Sequence, residues 1–346
     1  MKIFLLLPIL TIVSPFIIGG ICLIKDHIKT IKKDKAQSEE DKQWFYNRVW
    51  NANWEHEGEK IDISYETLWK AIIRPPRDKY DEDLLGEKIF TYHSKSYTRT
   101  DYTLLSKRGF LMKCSFIQLS LKERKNFVMP VVVYLHGNSS SRLEGLKMAP
   151  ELLKKNINVF IFDFPGCGLS EGEYISLGYH EQHDLRIILD FLVRLPGVGP
   201  IGIWGRSMGA ATAMLYACTD DRVRAACMDS PFMDFRSLAK DLCKKNISIP
   251  GFLIETAMHF VKKTVRTKND LDIEKLRPID CAEKTTTPGF FVHAMNDELI
   301  PLDHSIKLYE KYSGVKSINV VEGGHNSARQ KHILDKIGKF FEKHLC

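Results

Sequence analysis

A serine lies between two glycines in the segment Trp204-Gly205-Arg206-Ser207-Met208-Gly209-Ala210, directly after the apolar run Ile201–Ile203. This spacing predicts a sharp turn from a strand into a helix, with Ser207 in strained backbone geometry and its hydroxyl exposed. Glycine at both flanking positions removes the Cβ atoms that would collide where the strand and the helix approach each other. The segment therefore predicts that Ser207 lies at the carboxyl end of a sheet.

An acid and a histidine follow this turn along the chain. A serine hydroxyl becomes a nucleophile when a base takes its proton, and the base needs a third group to orient it. Asp297 follows the apolar run Gly289–Ala294. His325 follows a second apolar run, Ile318–Val321, so both side chains are expected at the carboxyl edge of the sheet. Asp229 also follows a strand-like run and is the alternative acid, but the chain order serine, acid, histidine favours Asp297.

Two backbone N–H groups are expected to stabilise the oxyanion that forms when such a serine attacks a carbonyl group. The N–H of Met208, the residue after the serine, is the first of them. The second is assigned to Asn138, because the apolar run Pro130–Leu135 leads into His136-Gly137-Asn138. A glycine-rich turn over Asp163–Gly172 is expected to shape the wall of the site. The eleven histidines other than His325 are interpreted as surface or packing residues.

These motifs, in this order, resemble those of the α/β-hydrolase superfamily, in its serine aminopeptidase-like and monoglyceride-lipase-like branch. The resemblance covers about residues 101–346 and implies a mostly parallel central sheet flanked by helices. It implies a catalytic triad of Ser207, Asp297 and His325. It also implies an oxyanion hole at Met208 and Asn138, and a reaction that needs no cofactor and no metal. Members of the branch include esterases, lipases, thioesterases and peptidases, so the resemblance does not select the substrate.

Beyond residue 100, short apolar runs alternate with amphipathic segments, which is typical of an α/β fold with a sheet covered on both faces. Between Pro231 and Pro278 this alternation stops, and a short helical lid is expected over about 231–278. A helix there has an apolar face that would either cover an acyl-binding pocket or pack on the core; it comprises Phe252, Leu253, Met258, Phe260 and Val261. The predicted helices outside this interval are Arg142–Asn156, Gly178–Leu195, Ser207–Cys218, Leu302–Tyr312 and Ala328–His344.

The segment Ile3–Ile24 contains no charged residue and would span about 33 Å as a helix. This length predicts a transmembrane anchor over residues 1–24, and a cleaved signal peptide with a secretory location is the alternative. By the positive-inside rule, the lysines that follow this segment place the rest of the chain in the cytosol. They are Lys25, Lys29, Lys32, Lys33 and Lys35, against Lys2 alone before it.

Residues 25–100 are interpreted as a basic linker followed by an accessory helical layer rich in tryptophan. Tryptophan suits both buried packing and the membrane interface, so this layer is expected to pack on the hydrolase domain and to contact lipid. The tryptophans are Trp44, Trp50, Trp54 and Trp69. The proline-containing segment Arg74–Arg77 ends the helical pattern and leads towards the first strands.

Charge and cysteine content exclude several classes of function. The net charge of +7 is modest for a chain with 27% charged residues, and much of it lies beside the apolar N-terminal segment, so no nucleic-acid partner is expected. The eight cysteines are scattered singly, without the spacing of a disulfide framework or a zinc site.

The sequence therefore predicts a membrane-anchored serine hydrolase that cleaves a carboxylic ester or a thioester, with a lipid-like acyl group, through an acyl-enzyme. Two alternatives stay open. A serine aminopeptidase-like peptidase would need an acid to hold the free amine of its substrate, and Glu171 and Glu298 are the candidates. A catalytically inactive scaffold tethered to a membrane would keep the fold without turnover.

Overall fold

The computed structural model describes residues 69–70, 72–246 and 251–346, and it describes their side chains except within 243–246 and 251–258. The described residues form two compact units. Arg77–Phe235 and Glu274–Cys346 make up the larger unit. Residues 69–76 group with Arg236–Ile273 in the smaller unit.

A nine-stranded sheet forms the centre of the larger unit, in the order β1-β2-β3-β5-β4-β6-β7-β8-β9. From β5 through β4 to β9 every pair of neighbours is parallel, whereas β1, β2, β3 and β5 pair antiparallel. The predicted mostly parallel sheet is confirmed. The strands are β1 (Ile89–Tyr92), β2 (Lys95–Leu105), β3 (Leu111–Leu119), β4 (Met129–Leu135), β5 (Asn158–Phe162), β6 (Val198–Arg206), β7 (Val223–Asp229), β8 (Gly289–Ala294) and β9 (Lys316–Val321).

The predicted helices are present, all but the C-terminal one between two strands, and their ends differ by a few residues from the sequence interpretation. The first one stops at Leu153 instead of Asn156, because Asn156 adopts a positive φ of 57° that ends the helix. The described helices are α1 (Arg142–Leu153), α2 (Glu181–Leu192), α3 (Met208–Ala217), α4 (Phe235–Asn246), α5 (Gly251–Asn269), α6 (Ile279–Ala282), α7 (Leu302–Lys311) and α8 (Lys331–Leu345).

Both faces of the central strands are buried, which explains why these strands are continuous apolar runs. In β4, Val131 and Val133 belong to a core cluster that includes α2 and α3. Val132 and Tyr134 belong to a second cluster on the opposite face, which includes α1 and α8. Because successive strand residues point to opposite faces, one apolar run supplies both cores. Each fully buried aliphatic side chain contributes about 2 kcal/mol to folding.

The first strands of the sheet begin before the expected start of the hydrolase domain. The first strands were expected after Arg77 and the hydrolase domain from residue 101, and β1 and the first half of β2 lie before that boundary. Strand β2 is rich in threonine and tyrosine, which favour extended structure, and it pairs with β3 from Tyr97 to Leu105. The sheet therefore begins at Ile89, after the proline-containing segment at which the helical pattern was expected to end and before residue 101, where the hydrolase domain was expected to start.

The interval expected to form a lid, about 231–278, contains helices α4 and α5. In α5, Val261 is buried and Phe260 is 41% exposed. Within the smaller unit, Trp69 is buried, and the Lys268 ammonium of α5 lies 4.5 Å from the centre of its ring. The acyl-binding role of α5 stays a prediction.

The predicted N-terminal anchor, the basic linker and three of the four tryptophans, Trp44, Trp50 and Trp54, lie outside the described residues. Among the helices that the structure does describe, none is long and apolar enough to cross a bilayer.

Candidate active site

Ser207 forms the single-residue turn between β6 and α3. Its backbone angles are φ 53° and ψ −114°, a region that non-glycine residues rarely occupy. The Ser207 N–H donates to the carbonyl oxygen of Asp229 at the end of β7, with a distance of 2.8 Å. The strained conformation is therefore held by the neighbouring strand as well as by the helix that follows.

The two flanking glycines permit backbone contacts that no other residue would allow. A Cβ atom at Gly205 would lie 2.1 Å from the carbonyl oxygen of Gly209. A Cβ atom at Gly209 would lie 1.9 Å from the carbonyl oxygen of Leu135, at the end of β4. The first contact is the strand-to-helix approach that the sequence predicts, and the second brings α3 against a strand that neighbours β6.

Ser207, His325 and Asp297 lie in one chain of hydrogen bonds at the carboxyl edge of the sheet. The His325 Nε2 atom is 2.9 Å from the Ser207 Oγ atom, and the His325 Nδ1 atom is 2.7 Å from Asp297 Oδ2. Because a carboxylate only accepts hydrogen bonds, Nδ1 carries the proton, and Nε2 accepts from the Ser207 hydroxyl. The structure thus brings together the three residues that the sequence singled out, from three separate loops.

Asp297 is held by both of its oxygen atoms. Its Oδ1 atom accepts from the backbone N–H groups of Leu299 and Ile300, at 3.0 and 2.7 Å. Burial raises the pKa of this carboxyl, but the hydrogen-bonded His325 and the nearby His293 outweigh burial and lower the pKa to about 2. The Asp297 side chain is therefore negatively charged at neutral pH.

His293 is a second histidine beside Asp297, and the sequence analysis treated it as a packing residue. It is fully buried, and its Nε2 atom lies 3.4 Å from Asp297 Oδ2. Nε2–H donates to the Ile300 carbonyl oxygen at 2.8 Å, and Nδ1 accepts from the Ser305 hydroxyl at 2.6 Å. Burial lowers its pKa. The only feature of the sequence that pointed to a place beside Asp297 was its position at the end of β8, four residues before that acid.

Asp229, the alternative acid, has a different partner. Its carboxylate accepts from the buried Arg329 guanidinium, with distances between 2.8 and 3.1 Å. Arg329 also donates to the carbonyl oxygens of Ser327 and His325, at 3.0 and 3.4 Å. The ion pair therefore fixes the loop that carries His325, a role that the sequence analysis did not foresee for Arg329.

The turn after β4 lies beside the serine. A Cβ atom at Gly137 would be 3.8 Å from the Ser207 Cβ atom, so the adjacent Asn138 lies close to the site. His136 is buried, its Nε2 accepts from the Phe164 N–H at 3.0 Å, and its Nδ1–H donates to the Gly137 carbonyl oxygen at 2.8 Å. Both ring nitrogens of His136 thus serve to hold this turn.

Comparison with known proteins gives the family. A family model described as the alpha/beta hydrolase fold matches residues 130–246. The uncharacterized protein YqkD of Bacillus subtilis is 30% identical over 275 residues, which cover 77% of this chain and 87% of that protein. The chain belongs to the α/β-hydrolase family. A further relative of this α/β-hydrolase is the lysophosphatidylserine lipase ABHD12 of Danio rerio, which is 28% identical over 55% of this chain and 49% of that protein.

Solved structures share the fold of this α/β-hydrolase. The Pyrococcus furiosus esterase Pf2001 matches with a TM-score of 0.58 and 22% identity, covering 79% of this chain and 100% of the esterase. The acetyl xylan esterase from Paenibacillus sp. R4 matches with a TM-score of 0.59 and 17% identity, covering 80% of this chain and 98% of that one.

Arg206 and Glu144 of this α/β-hydrolase connect the turn after β4 to the loop that carries His325. Arg206 donates to the His325 carbonyl oxygen at 2.7 Å and lies 3.5 Å from Glu144. Glu144 in turn accepts from the Gly137 N–H at 3.0 Å and from the Tyr134 hydroxyl at 2.9 Å. Burial raises the pKa of Glu144, but Arg206 and the Gly137 N–H outweigh it and lower the pKa below its ordinary value. The Arg206–Glu144 ion pair therefore holds both the turn after β4 and the loop that carries His325.

Both acids that were considered for binding a substrate amine already accept a hydrogen bond from a backbone N–H group. The Glu171 carboxylate accepts from the Leu111 N–H at 2.9 Å, and the Glu298 carboxylate accepts from the His325 N–H at 3.2 Å. Glu298 therefore supports the loop that carries His325. Within the part of the chain that the structure describes, no group of three or more potential ligands could hold a metal ion.

The glycine-rich turn Asp163–Gly172 is built around a buried carboxylate. Asp163 accepts from the backbone N–H groups of Arg142 and Leu169, at 2.6 and 2.9 Å, and from the Tyr80 hydroxyl at 2.8 Å. A Cβ atom at Gly168 would lie 2.3 Å from the Asp163 Cγ atom. These contacts of Asp163 therefore stabilise the turn itself.

Proposed function

We propose that this α/β-hydrolase is a serine hydrolase that cleaves a carboxylic ester or a thioester through an acyl-enzyme. The observation that carries the proposal is the hydrogen-bond chain from Ser207 through His325 to Asp297, with distances of 2.9 and 2.7 Å. These are the distances and the order that a nucleophile, a base and an orienting acid need.

In the first step, the Ser207 Oγ atom attacks the carbonyl carbon of the substrate while His325 Nε2 takes the hydroxyl proton. The carboxylate of Asp297 stabilises the imidazolium that forms. Because the pKa of Asp297 is lowered to about 2, the acid stays charged throughout the neutral range and does not compete for the proton. The imidazolium then protonates the leaving group, which departs as an alcohol or a thiol.

The oxyanion of the tetrahedral intermediate accepts from the N–H groups of Met208 and Asn138. Met208 is the first residue of α3, and the first N–H groups of a helix have no acceptor within it. The positive end of the α3 dipole favours negative charge at the same place. In the second step, His325 takes a proton from water, which attacks the acyl-enzyme and releases the acid.

A lipid-like ester is the substrate class that we propose. Support comes from the relative whose name is lysophosphatidylserine lipase, and from neighbours of the same fold whose names are esterases. The apolar residues of α5 are the candidates for lining an acyl-binding surface.

Fluorophosphonate labelling of the full-length protein tests the mechanism, because such probes react with an activated serine whatever the substrate is. We expect labelling of the wild type and its loss in Ser207→Ala. Ser230→Ala serves as the matched control, since it removes another serine at the carboxyl edge of the sheet that is not bonded to His325, and it should keep the label. A folded wild type that takes no label, in detergent and across a range of pH, would favour the scaffold alternative.

Peptidase activity is tested by comparing acyl esters with aminoacyl amides. We expect ester cleavage to dominate, because the Glu171 and Glu298 carboxylates already accept backbone hydrogen bonds. If the protein preferred aminoacyl amides, and if replacing either glutamate with glutamine abolished that preference, the peptidase alternative would be favoured instead.

A further inference from the structure

A pair of cysteines lies outside the candidate active site, where α3 meets α6. Cys218 ends α3, and Cys281 lies in α6. The Sγ atoms of Cys218 and Cys281 lie 3.5 and 3.8 Å from the same oxygen atom, the Leu215 carbonyl. Each of the two thiols also shifts the pKa of the other. Residues far apart in the sequence therefore place two free thiols side by side.

The surroundings of this thiol pair differ from those of the three cysteines in the core. Cys218 and Cys281 are both half-buried, so a small reagent can reach them. Cys114, Cys167 and Cys227 are buried in the core of the larger unit. A peroxide in solution therefore reaches the pair more readily than it reaches these core thiols.

The two members of the pair are unequal. The adjacent Cys281 thiol lowers the pKa of Cys218, burial opposes this, and the nearby Lys284 ammonium lowers the pKa further. The adjacent Cys218 sulfur and burial raise the pKa of Cys281. The thiolate is the reactive form of cysteine, so Cys218 is the attacking sulfur and Cys281 the resolving one.

We propose that Cys218 and Cys281 form a redox-sensitive site that closes to a disulfide on reaction with a peroxide. The Cys218 thiolate attacks one oxygen of the O–O bond and forms a sulfenic acid, while the other oxygen leaves as hydroxide and takes up a proton to become water. The Cys281 sulfur then attacks the Cys218 sulfur, the S–S bond forms, and the sulfenic oxygen leaves with the Cys281 proton as a second water. Two thiols are oxidised and one peroxide is reduced to two waters.

The disulfide would join the end of α3 to α6 and close a chain loop that carries α4 and α5. A cross-link that closes a long loop restricts the unfolded chain, so the oxidised protein should unfold at a higher temperature. Neither cysteine takes part in the proposed ester cleavage, so this site does not depend on the proposed function.

Peptide mapping of the full-length protein tests the proposal. The reduced protein is treated with hydrogen peroxide, its remaining thiols are alkylated, and it is digested without reductant. We expect a linked peptide pair that joins Cys218 to Cys281 and that disappears when the sample is reduced. In Cys281→Ser, dimedone should trap a sulfenic acid at Cys218, whereas Cys218→Ser should give no dimedone adduct at Cys281.

Cys346→Ser is the matched control, because it removes an exposed cysteine and should leave the linked pair and the rise in unfolding temperature unchanged. The proposal is overturned if Cys218 and Cys281 stay free at a peroxide concentration that oxidises Cys346. Separate oxidation of the two cysteines without a linked peptide would also overturn it.

Discussion

At the residue scale, the position of His325 depends on its backbone as much as on its ring. Its carbonyl oxygen accepts from Arg206 and Arg329, and its N–H donates to Glu298. Asp297 holds the imidazole from the other side. Two guanidinium groups and two carboxylates therefore hold the backbone and the ring of His325. This rigidity keeps Nε2 within hydrogen-bond distance of Ser207.

Replacing each of the two candidate acids separates their roles. We expect Asp297→Asn to lower kcat by about four orders of magnitude, because His325 loses the group that sets its tautomer. We expect Asp229→Asn to reduce kcat far less but to lower the free energy of unfolding by about 3–5 kcal/mol, because Arg329 loses its buried partner. Turnover of a chromogenic ester and urea unfolding measure the two effects.

The assignment of the acid is wrong if Asp229→Asn abolishes turnover in a folded protein while Asp297→Asn retains it. Unfolding curves recorded on the same preparations separate loss of catalysis from loss of folded protein.

Asp184 gives a prediction for the dependence of stability on pH. This buried carboxyl in the first turn of α2 lies 3.3 Å from Arg108, and burial raises its pKa to about 7 against the opposing effect of Arg108. Between the pKa of the unfolded chain and this raised pKa, the folded protein retains a proton that the unfolded chain has lost. The contribution of Asp184 to stability therefore falls as pH rises from about 4 to about 7 and is constant above.

We expect Asp184→Asn to lack this dependence. The free energy of unfolding of the variant minus that of the wild type should rise by at most about 1.4 kcal/mol per pH unit through this window and then level off. Urea unfolding at a series of pH values measures the difference, and parallel curves for the two proteins would contradict the raised pKa.

At the element scale, the unit formed by β6, the Ser207 turn and α3 depends on close backbone approach. Helix α3 contacts the end of β6 through Gly205 and Gly209, and it contacts the end of β4 through Gly209. All of its residues are buried, and the small ones among them, including Ala210 and Ala213, let it pack tightly on the sheet. The same approach places the amino end of α3 beside the serine.

We expect Gly209→Ala to unfold the protein or to displace α3, because the new methyl group would lie 1.9 Å from the Leu135 carbonyl oxygen. Gly137→Ala is the matched control: its methyl group would have no neighbour closer than 3.7 Å, so this variant should fold. Thermal unfolding and far-UV circular dichroism compare the two variants. A Gly209→Ala protein with the unfolding temperature of the wild type would contradict the contact.

At the scale of the whole molecule, strand order assembles the site. The strand that precedes Ser207, β6, is separated from β8, which precedes Asp297, by β7, and β9 follows β8 at the edge of the sheet. All four strands are parallel, so their carboxyl ends lie along one edge and the three loops meet there. The ion pair of Asp229 with Arg329 occupies the place between them, after β7.

The membrane orientation is a prediction at this same scale. The uncharged segment Ile3–Ile24 and the lysines that follow it predict an anchor with the hydrolase domain in the cytosol. We expect a tag at the carboxyl terminus to be digested when protease is added to sealed microsomes. A tag that is protected until detergent is added would instead favour the secretory alternative, and glycosylation at the sequon Asn246–Ser248 would agree with that outcome.

The sequence by itself determined the parallel strands, the helices between them and the chain order of Ser207, Asp297 and His325, because these depend on local patterns of apolar residues, glycine and turns. It placed the start of the hydrolase domain at residue 101, although the sheet begins at Ile89, since the extent of β1 and β2 depends on their pairing with each other and with β3.

The chain order favoured Asp297 as the acid, but both Asp297 and Asp229 follow apolar strands. Only the tertiary structure showed that the Asp297 carboxylate bonds to His325 and that Asp229 pairs with Arg329. It also revealed His293, Arg329 and the pairing of Cys218 with Cys281. Contacts between side chains from distant loops follow from how the sheet stacks those loops, and no local pattern in a single sequence records them.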